Sequence, residues 1–213
     1  MKLLGLECDH KVHSCHNSSF AWVHTGHRLI FLENPKACST YVKVEIVKQN
    51  VEGIRLESRE QIAEYPGFKV FGIYRDPANK MFSAFRDFTK RGDQMRLDQM
   101  RSLFNSADLS AQCVKELSFS DFLDLALVHK DHHWGPNFPY LFLPDTPVTL
   151  FKYHAGVMVE VEDFLGLEIN KPPRASSPSY DHVITSEEKD KIRRIMIMDY
   201  ENMDYFRERL INV

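Results

Sequence analysis

"RLIFLENPKACST" spans residues 28–40, and "FKVFGIYRDPANKMFSAFR" spans residues 68–86. Each opens on a compact apolar run that breaks into a polar turn carrying a cation. A short apolar run bounded by polar residues predicts a buried strand, here over 28–34 and 68–74. Each turn then leads into a predicted helix. After the first, "STYVKVEIVKQN" places Tyr41, Val44, Ile46 and Val47 partly at helical spacing. After the second, Pro77 suits the first turn of a helix over roughly 77–90. That helix turns Met81, Phe82, Phe85 and Phe88 inward. "PVTLFKY" (147–153) reads as a third strand, followed by a helix ending at Gly166.

Strands alternating with helices predict an α/β fold: a mainly parallel central sheet with helices on both faces. The remaining segments fit around that frame. Residues 1–27 read as a variable segment of short strands and turns. Residues 91–117 read as a helical insertion or lid. "SFSDFLDLALVHK" is an amphipathic helix capped by Ser118 or Ser120. "KPPRASSPSY" (171–180) is a loop. Thr185 to Glu188 form a capping box that opens a long helix, with Ile192, Ile195, Met196, Met203, Phe206 and Leu210 on one stripe. There is no internal repeat and no long linker, so residues 1–213 are expected to form a single domain.

Composition narrows the function. With 213 residues, 43% of them hydrophobic and 27% charged, the chain has ample material for a core. A net charge of −3 disfavours a general nucleic-acid binder, which carries a basic excess. A local basic pocket for a small anion remains allowed. No run approaches the roughly 18–20 apolar residues of a membrane span. The start "MKLLGLECDHK" is too short and too charged for a secretory leader. The four cysteines are scattered and contain no CxxC, which points to a reducing compartment. A cytoplasmic location is therefore expected. The sequence does not fix the oligomeric state.

In parallel α/β sheets, ligands bind beyond the carboxyl ends of the strands. Both turns sit there. In Pro35-Lys36-Ala37-Cys38-Ser39-Thr40, a helix N-terminus offers free N–H groups. Ser39 and Thr40 add hydroxyl donors, and Lys36 adds a mobile charge. Such a turn suits a phosphate or sulfate group. It lacks the glycines of GxxxxGK[ST], so an ordinary ATP or GTP loop is disfavoured. Its plain alternative is a capped helix beside a surface lysine. In the second turn, Arg75 has a planar fork suited to a phosphate, and Ser83 lies two turns into the next helix. The alternative there is an Arg75–Asp76 pair.

Taken together and in this order, the motifs resemble the nucleotide-dependent sulfotransferases. The branch in question includes the carbohydrate sulfotransferases that use 3′-phosphoadenosine 5′-phosphosulfate (PAPS). "IFLENPKACST" is similar to that family's 5′-phosphosulfate loop, and "FGIYRDPANKMFSAFR" to its 3′-phosphate element. "DHHWGPN" is similar to its H-[WF]-x-P-Q segment, with Asn137 where glutamine is usual. "TLFKYHAGVMVEVEDFLGL" is similar to the stretch before its C-terminal helices, although the usual glutamate is replaced near His154. The resemblance covers roughly residues 28–206. It implies a P-loop-like sulfotransferase fold and transfer of a sulfuryl group from PAPS to a hydroxyl or amine of a small molecule or carbohydrate.

The resemblance also implies roles. Lys36 would neutralise charge on the leaving oxygen. The 35–40 turn would hold the 5′-phosphosulfate. Arg75 and Ser83 would bind the 3′-phosphate, and Arg174 would reach the donor from a closing loop. His133, with His132 second, would take the acceptor's proton, since imidazole titrates near neutral pH. No metal is called for. Asp131, Glu45 and Glu57 compete with the histidines as bases. Cys8, His10, His13, Cys15 and His16 have zinc-ligand chemistry but no common spacing. Two other readings stay open: a P-loop-like kinase or nucleotide hydrolase, and a noncatalytic nucleotide-binding relative.

Overall fold

The computed structural model describes residues 21–38, 42–43, 54–89, 94–104, 110–129, 131–166 and 182–211. Ser39, Thr40, Glu45, Arg174 and the cysteines and histidines of the first 16 residues lie outside that set. The described residues group into two compact units. One is a sheet unit within Asn17–Asp76, Pro136–His182 and Ile197–Val213. The other is a helical unit containing Pro77–Gly135 and Val183–Met196.

The sheet unit holds six strands: β1 (Ala21–His24), β2 (Leu29–Leu32), β3 (Ile54–Leu56), β4 (Lys69–Tyr74), β5 (Val148–Lys152) and β6 (Leu210–Ile211). Their order is β3-β1-β2-β4-β5-β6. Pairs β2–β4, β4–β5 and β5–β6 are parallel, while β1 runs antiparallel to both β2 and β3. The three strands expected from apolar runs are thus consecutive, parallel neighbours at the centre. The antiparallel hairpin β1–β2 turns through Thr25–Arg28, where the Arg28 N–H donates to the Thr25 carbonyl at 3.2 Å.

Alternation along the strands builds two cores. Ile30, Leu32, Val70 and Leu150 face one side and pack with Leu141 and Phe206. Phe31, Phe71, Ile73 and Phe151 face the other and pack with Val157 and Val161. Leu141 belongs to the short helix α5 (Phe138–Leu141), Val157 and Val161 to α6 (Val157–Leu165), and Phe206 to α9 (Met203–Arg209). Gly72, mid-strand in β4, has a specific use. A Cβ there would stand 2.6 Å from Leu141 Cδ2, so glycine lets α5 approach the sheet. Helix α6 ends at Gly166 in the left-handed region (φ 63°), as a C-terminal glycine predicts.

The helical unit comprises α1 (Pro77–Thr89), α2 (Gln94–Phe104), α3 (Ala111–Glu116), α4 (Phe119–Val128) and α7 (Ser186–Ile195). Met81, Phe85 and Phe88 of α1 are buried, and Phe82 stacks on Phe119 at 3.9 Å between ring centres. Within the 91–117 stretch, Leu97, Met100 and Val114 join this same core. Two capping boxes fix helix starts, Ser118 with Asp121 on α4 and Thr185 with Glu188 on α7. Lys191 of α7 reaches Asp124 of α4 at 2.8 Å and the Ser120 hydroxyl at 3.0 Å. Burial lowers the affinity of this ammonium for its proton. Asp124 and Glu187 outweigh that and raise its pKa.

One expectation is corrected. The single long helix after Thr185 is three: α7, α8 (Ile197–Glu201) and α9. Met196 and Asn202 leave helical geometry at φ −101°, ψ 25° and φ −115°, ψ 28°. The expected apolar stripe is divided accordingly. Ile192 and Met196 serve the helical core, whereas Met203, Phe206 and Leu210 serve the sheet unit. Between the breaks, Asp199 is fully buried and hydrogen-bonded to backbone amides outside its own helix. No described helix is long and apolar enough to cross a membrane.

Candidate functional site

The carboxyl ends of β2, β4 and β5 lie side by side, so the residues just beyond each strand are brought together. Asn34 to Cys38 come after β2, Arg75 after β4, and Tyr153 after β5. The Tyr153 N–H donates to the Tyr74 carbonyl at 2.8 Å, which continues the strand pairing into the turn.

The first turn is conformationally unusual. Lys36 and Cys38 both occupy the left-handed region, at φ 63° and 57°. Non-glycine residues rarely do so, at a cost of about 1–3 kcal/mol each, and such strain collects at functional sites. The Ala37 N–H closes the turn on the Asn34 carbonyl at 3.2 Å, and the Val42 N–H donates to the Cys38 carbonyl at 3.1 Å. Pro35 and Ala37 are buried, whereas Lys36 and Cys38 are half-buried. Glu33, just before the turn, is already committed. It accepts from Trp22 Nε1 at 2.6 Å and pairs with Lys43 at 2.8 Å.

Arg75 holds the two turns together. Its Nη1 donates to the Lys36 carbonyl at 2.5 Å, and its guanidinium carbon lies 4.2 Å from the centre of the Tyr153 ring. Its Nε is buried with no hydrogen-bond partner among the described residues. A buried donor of this kind calls for an acceptor. Burial lowers the guanidinium's pKa, but nearby Tyr153, Cys38 and Asp76 oppose that. Arginine stays charged regardless. Burial pushes the Cys38 thiol pKa up, against the opposing influence of Arg75 and Tyr153.

Beneath these turns lies a buried polar lock that the sequence reading did not anticipate. Asn34 and Asn137 are both fully buried. Asn34 Nδ2 donates to the Ile73 carbonyl and to Asn137 Oδ1, each at 2.8 Å. Asn137 Nδ2 donates to the Arg75 carbonyl at 2.9 Å and to Asp199 Oδ2 at 2.6 Å. Asp199 also accepts the backbone N–H groups of Asn137 at 2.9 Å and Phe138 at 2.7 Å. The ends of β2 and β4, and with them Lys36 and Arg75, are thereby tied to one carboxylate. Burial, then the nearby Asp199 and Asp76 charges, push the Tyr74 phenol pKa up.

The helical unit carries the remaining candidates. Ser83 is half-buried on α1, where Lys80 and Asp87 are buried. Asp131 accepts from the His133 backbone N–H at 2.8 Å, and its Oδ1 lies 2.6 Å from His133 Nδ1. The partly exposed His132 ring lies 3.8 Å from the His133 ring, centre to centre. Burial pushes the Asp131 carboxyl up, but the hydrogen bond with His133 and the electrostatic influence of the neighbouring His133 and His132 outweigh this and hold it below the ordinary carboxylate range. Asp131, expected as a competitor for the base role, is hydrogen-bonded to His133. Trp134 is buried against Phe88 and Phe122, and its Nε1 donates to the His129 carbonyl at 2.8 Å. Among the described residues, Asp131, His132 and His133 form a group able to hold a metal ion.

His154 has a structural use. Its Nδ1 accepts the Gly156 N–H at 3.0 Å just before α6, and its Nε2 lies 2.7 Å from Glu160. Glu57, the other described carboxylate competitor, is exposed beyond the edge strand β3. The chain matches no family model, no curated protein and no solved structure.

Proposed function

We propose that this protein is a PAPS-dependent sulfotransferase acting on a hydroxyl or amine of a small molecule or carbohydrate. The observation that carries the reading is the Lys36–Arg75 junction. A strained turn and a half-buried guanidinium, its Nε buried, meet at the carboxyl ends of adjacent parallel strands, joined by a 2.5 Å hydrogen bond. That arrangement supports an anion site, and the absence of glycine from the turn disfavours an ordinary triphosphate loop. The sequence resemblance supplies the donor's identity.

Sulfuryl transfer resembles phosphoryl transfer, with a loose transition state and catalysis by positioning and charge stabilisation. In this reading Lys36 neutralises the leaving phosphate oxygen. The 35–40 turn holds the 5′-phosphosulfate. Arg75 and Ser83 take the 3′-phosphate, Arg174 assists from its loop, and His133 or His132 receives the acceptor's proton.

The test is donor recognition. Titration calorimetry should show 3′-phosphoadenosine 5′-phosphate binding far more tightly than AMP or ATP. Arg75→Ala should weaken that binding by about 2–4 kcal/mol, the range for leaving a buried charge without its partner. Equal affinity for AMP, or magnesium-dependent ATP turnover, would return the kinase or hydrolase reading. Tight binding with no transfer to any acceptor would leave a noncatalytic relative.

Lys36 separates binding from catalysis. If it meets charge that develops on the leaving oxygen, Lys36→Ala lowers kcat more than it raises the donor KM. The expected loss is roughly 10²–10³-fold, as for other preorganised electrostatic groups. A near-normal kcat in steady-state assays with labelled donor would confine Lys36 to binding.

A further inference from the structure

We propose that Asp131, His132 and His133 form a binding site for a divalent cation of the zinc class. One ligand atom from each, a carboxylate oxygen and two imidazole nitrogens, all lie within 4.8 Å of one another. Both Nδ1 atoms converge on a single oxygen, Asp131 Oδ1, at 2.6 Å from His133 and 3.6 Å from His132. Zinc takes nitrogen and oxygen ligands at about 2.0–2.2 Å, which sets two tetrahedral ligands about 3.3–3.5 Å apart. The two Asp131–histidine spacings lie on either side of that value.

The surroundings suit such a site. The side chains of Asp131, His133 and His132 are 10%, 13% and 26% exposed. Withdrawal from water strengthens attraction between a carboxylate and a cation. The Phe88 ring, edge-on 5.2 Å from His133, forms an apolar wall. Two imidazoles and one carboxylate favour zinc, cobalt or nickel over magnesium and calcium, which prefer oxygen ligands throughout. Three protein ligands leave a fourth position for water or a ligand.

Occupancy has a defined consequence for His133. A neutral imidazole carries one proton. With Nδ1 hydrogen-bonded to Asp131, that proton sits on Nδ1 and Nε2 can accept another. With Nδ1 on the metal, the proton sits on Nε2, which then donates and no longer accepts. The cation therefore inhibits transfer. This consequence, unlike the site itself, rests on the reading of His133 as the sulfotransferase's base.

Cobalt(II) titration of the full chain, followed by visible absorption and by zinc competition, tests the site directly. The expected result is a four-coordinate cobalt spectrum without a thiolate charge-transfer band. His132→Gln and Asp131→Asn should each weaken cobalt binding at least about tenfold, in the range for disturbing a metal's ligand shell. Replacing Cys8, His10, His13, Cys15 and His16 together should leave the signal intact. No cobalt binding, a thiolate band, or unchanged affinity in the His132→Gln/His133→Gln variant would overturn the proposal. His132 is the most exposed of the three, so His132→Gln supplies a folded variant if the others fail; circular dichroism checks this. Binding with transfer unaffected by zinc supports the site and removes His133 as base.

Discussion

Under the proposed sulfotransferase reading, with His133 as general base, His133→Ala is expected to lower kcat for sulfuryl transfer by roughly 10²–10⁴-fold, the usual contribution of such a group. Binding of 3′-phosphoadenosine 5′-phosphate should be unchanged. A hydroxyl acceptor must lose its proton as the sulfur–oxygen bond forms. A neutral imidazole can take that proton at neutral pH, and the Asp131 contact at 2.6 Å favours the tautomer in which Nε2 is the acceptor. Asp131 is then a positioning residue. Asp131→Asn should lower kcat by less than His133→Ala and leave the donor KM in place, as expected when the orienting partner rather than the base is lost. His132→Ala should be milder than His133→Ala. Steady-state kinetics beside calorimetric binding reads all of these. Full kcat in His133→Ala with loss in Glu57→Ala would move the role to a carboxylate. If neither substitution matters, the acceptor is an amine, or a hydroxyl acidic enough to need no base.

Much of the central sheet was legible because buried parallel strands have a strong sequence signature. The apolar runs at 28–34, 68–74 and 147–153 became β2, β4 and β5, adjacent and parallel. Strands β1, β3 and β6 are short and lie outside that trio, and too few residues carry their pattern to separate them from turns. The helix start at Thr185 was legible because a cap stands there with its carboxylate three residues on, whereas Ser118 and Ser120 both suited the start of α4 and the cap is Ser118. The breaks at Met196 and Asn202 were not, because no glycine or proline marks them. One signal was available. Asp199 falls on the apolar stripe running from Ile192 and Met196 to Met203 and Phe206, and a carboxylate at that spacing announces a buried polar partner. The partner itself, Asn137, lies 62 positions away, and no local pattern connects the two. In the candidate site, the residue types of the two turns were legible. The left-handed conformations of Lys36 and Cys38, and the bond from Arg75 to the Lys36 carbonyl, arise only from tertiary packing.

Asp199→Ala should be among the most damaging single substitutions in the protein. The side chain is fully buried, and its two oxygens accept three N–H groups, from the Asn137 backbone, the Asn137 amide and the Phe138 backbone. Truncation leaves those donors buried without acceptors, at about 1–3 kcal/mol for each that finds no water. Removing one member of a buried charged network commonly costs about 3–5 kcal/mol, a large part of the 5–15 kcal/mol that holds a typical domain together. Urea denaturation should therefore show a midpoint well below that of the wild type. Asp199→Asn keeps the shape and one acceptor oxygen but puts an NH₂ group where an oxygen accepts, so it should fall between the two. Asn137→Ala should be damaging too, since it strips donors from the Arg75 carbonyl and Asp199 and an acceptor from Asn34. On the proposed reading the lock also bears on function, because it ties the ends of β2 and β4 from which Lys36 and Arg75 emerge. At urea concentrations where Asp199→Asn stays folded, its affinity for 3′-phosphoadenosine 5′-phosphate should fall, although Asp199 is assigned no contact with the nucleotide. An Asp199→Ala variant as stable as the wild type would mean that water replaces the carboxylate and that the turns are held by Arg75 alone.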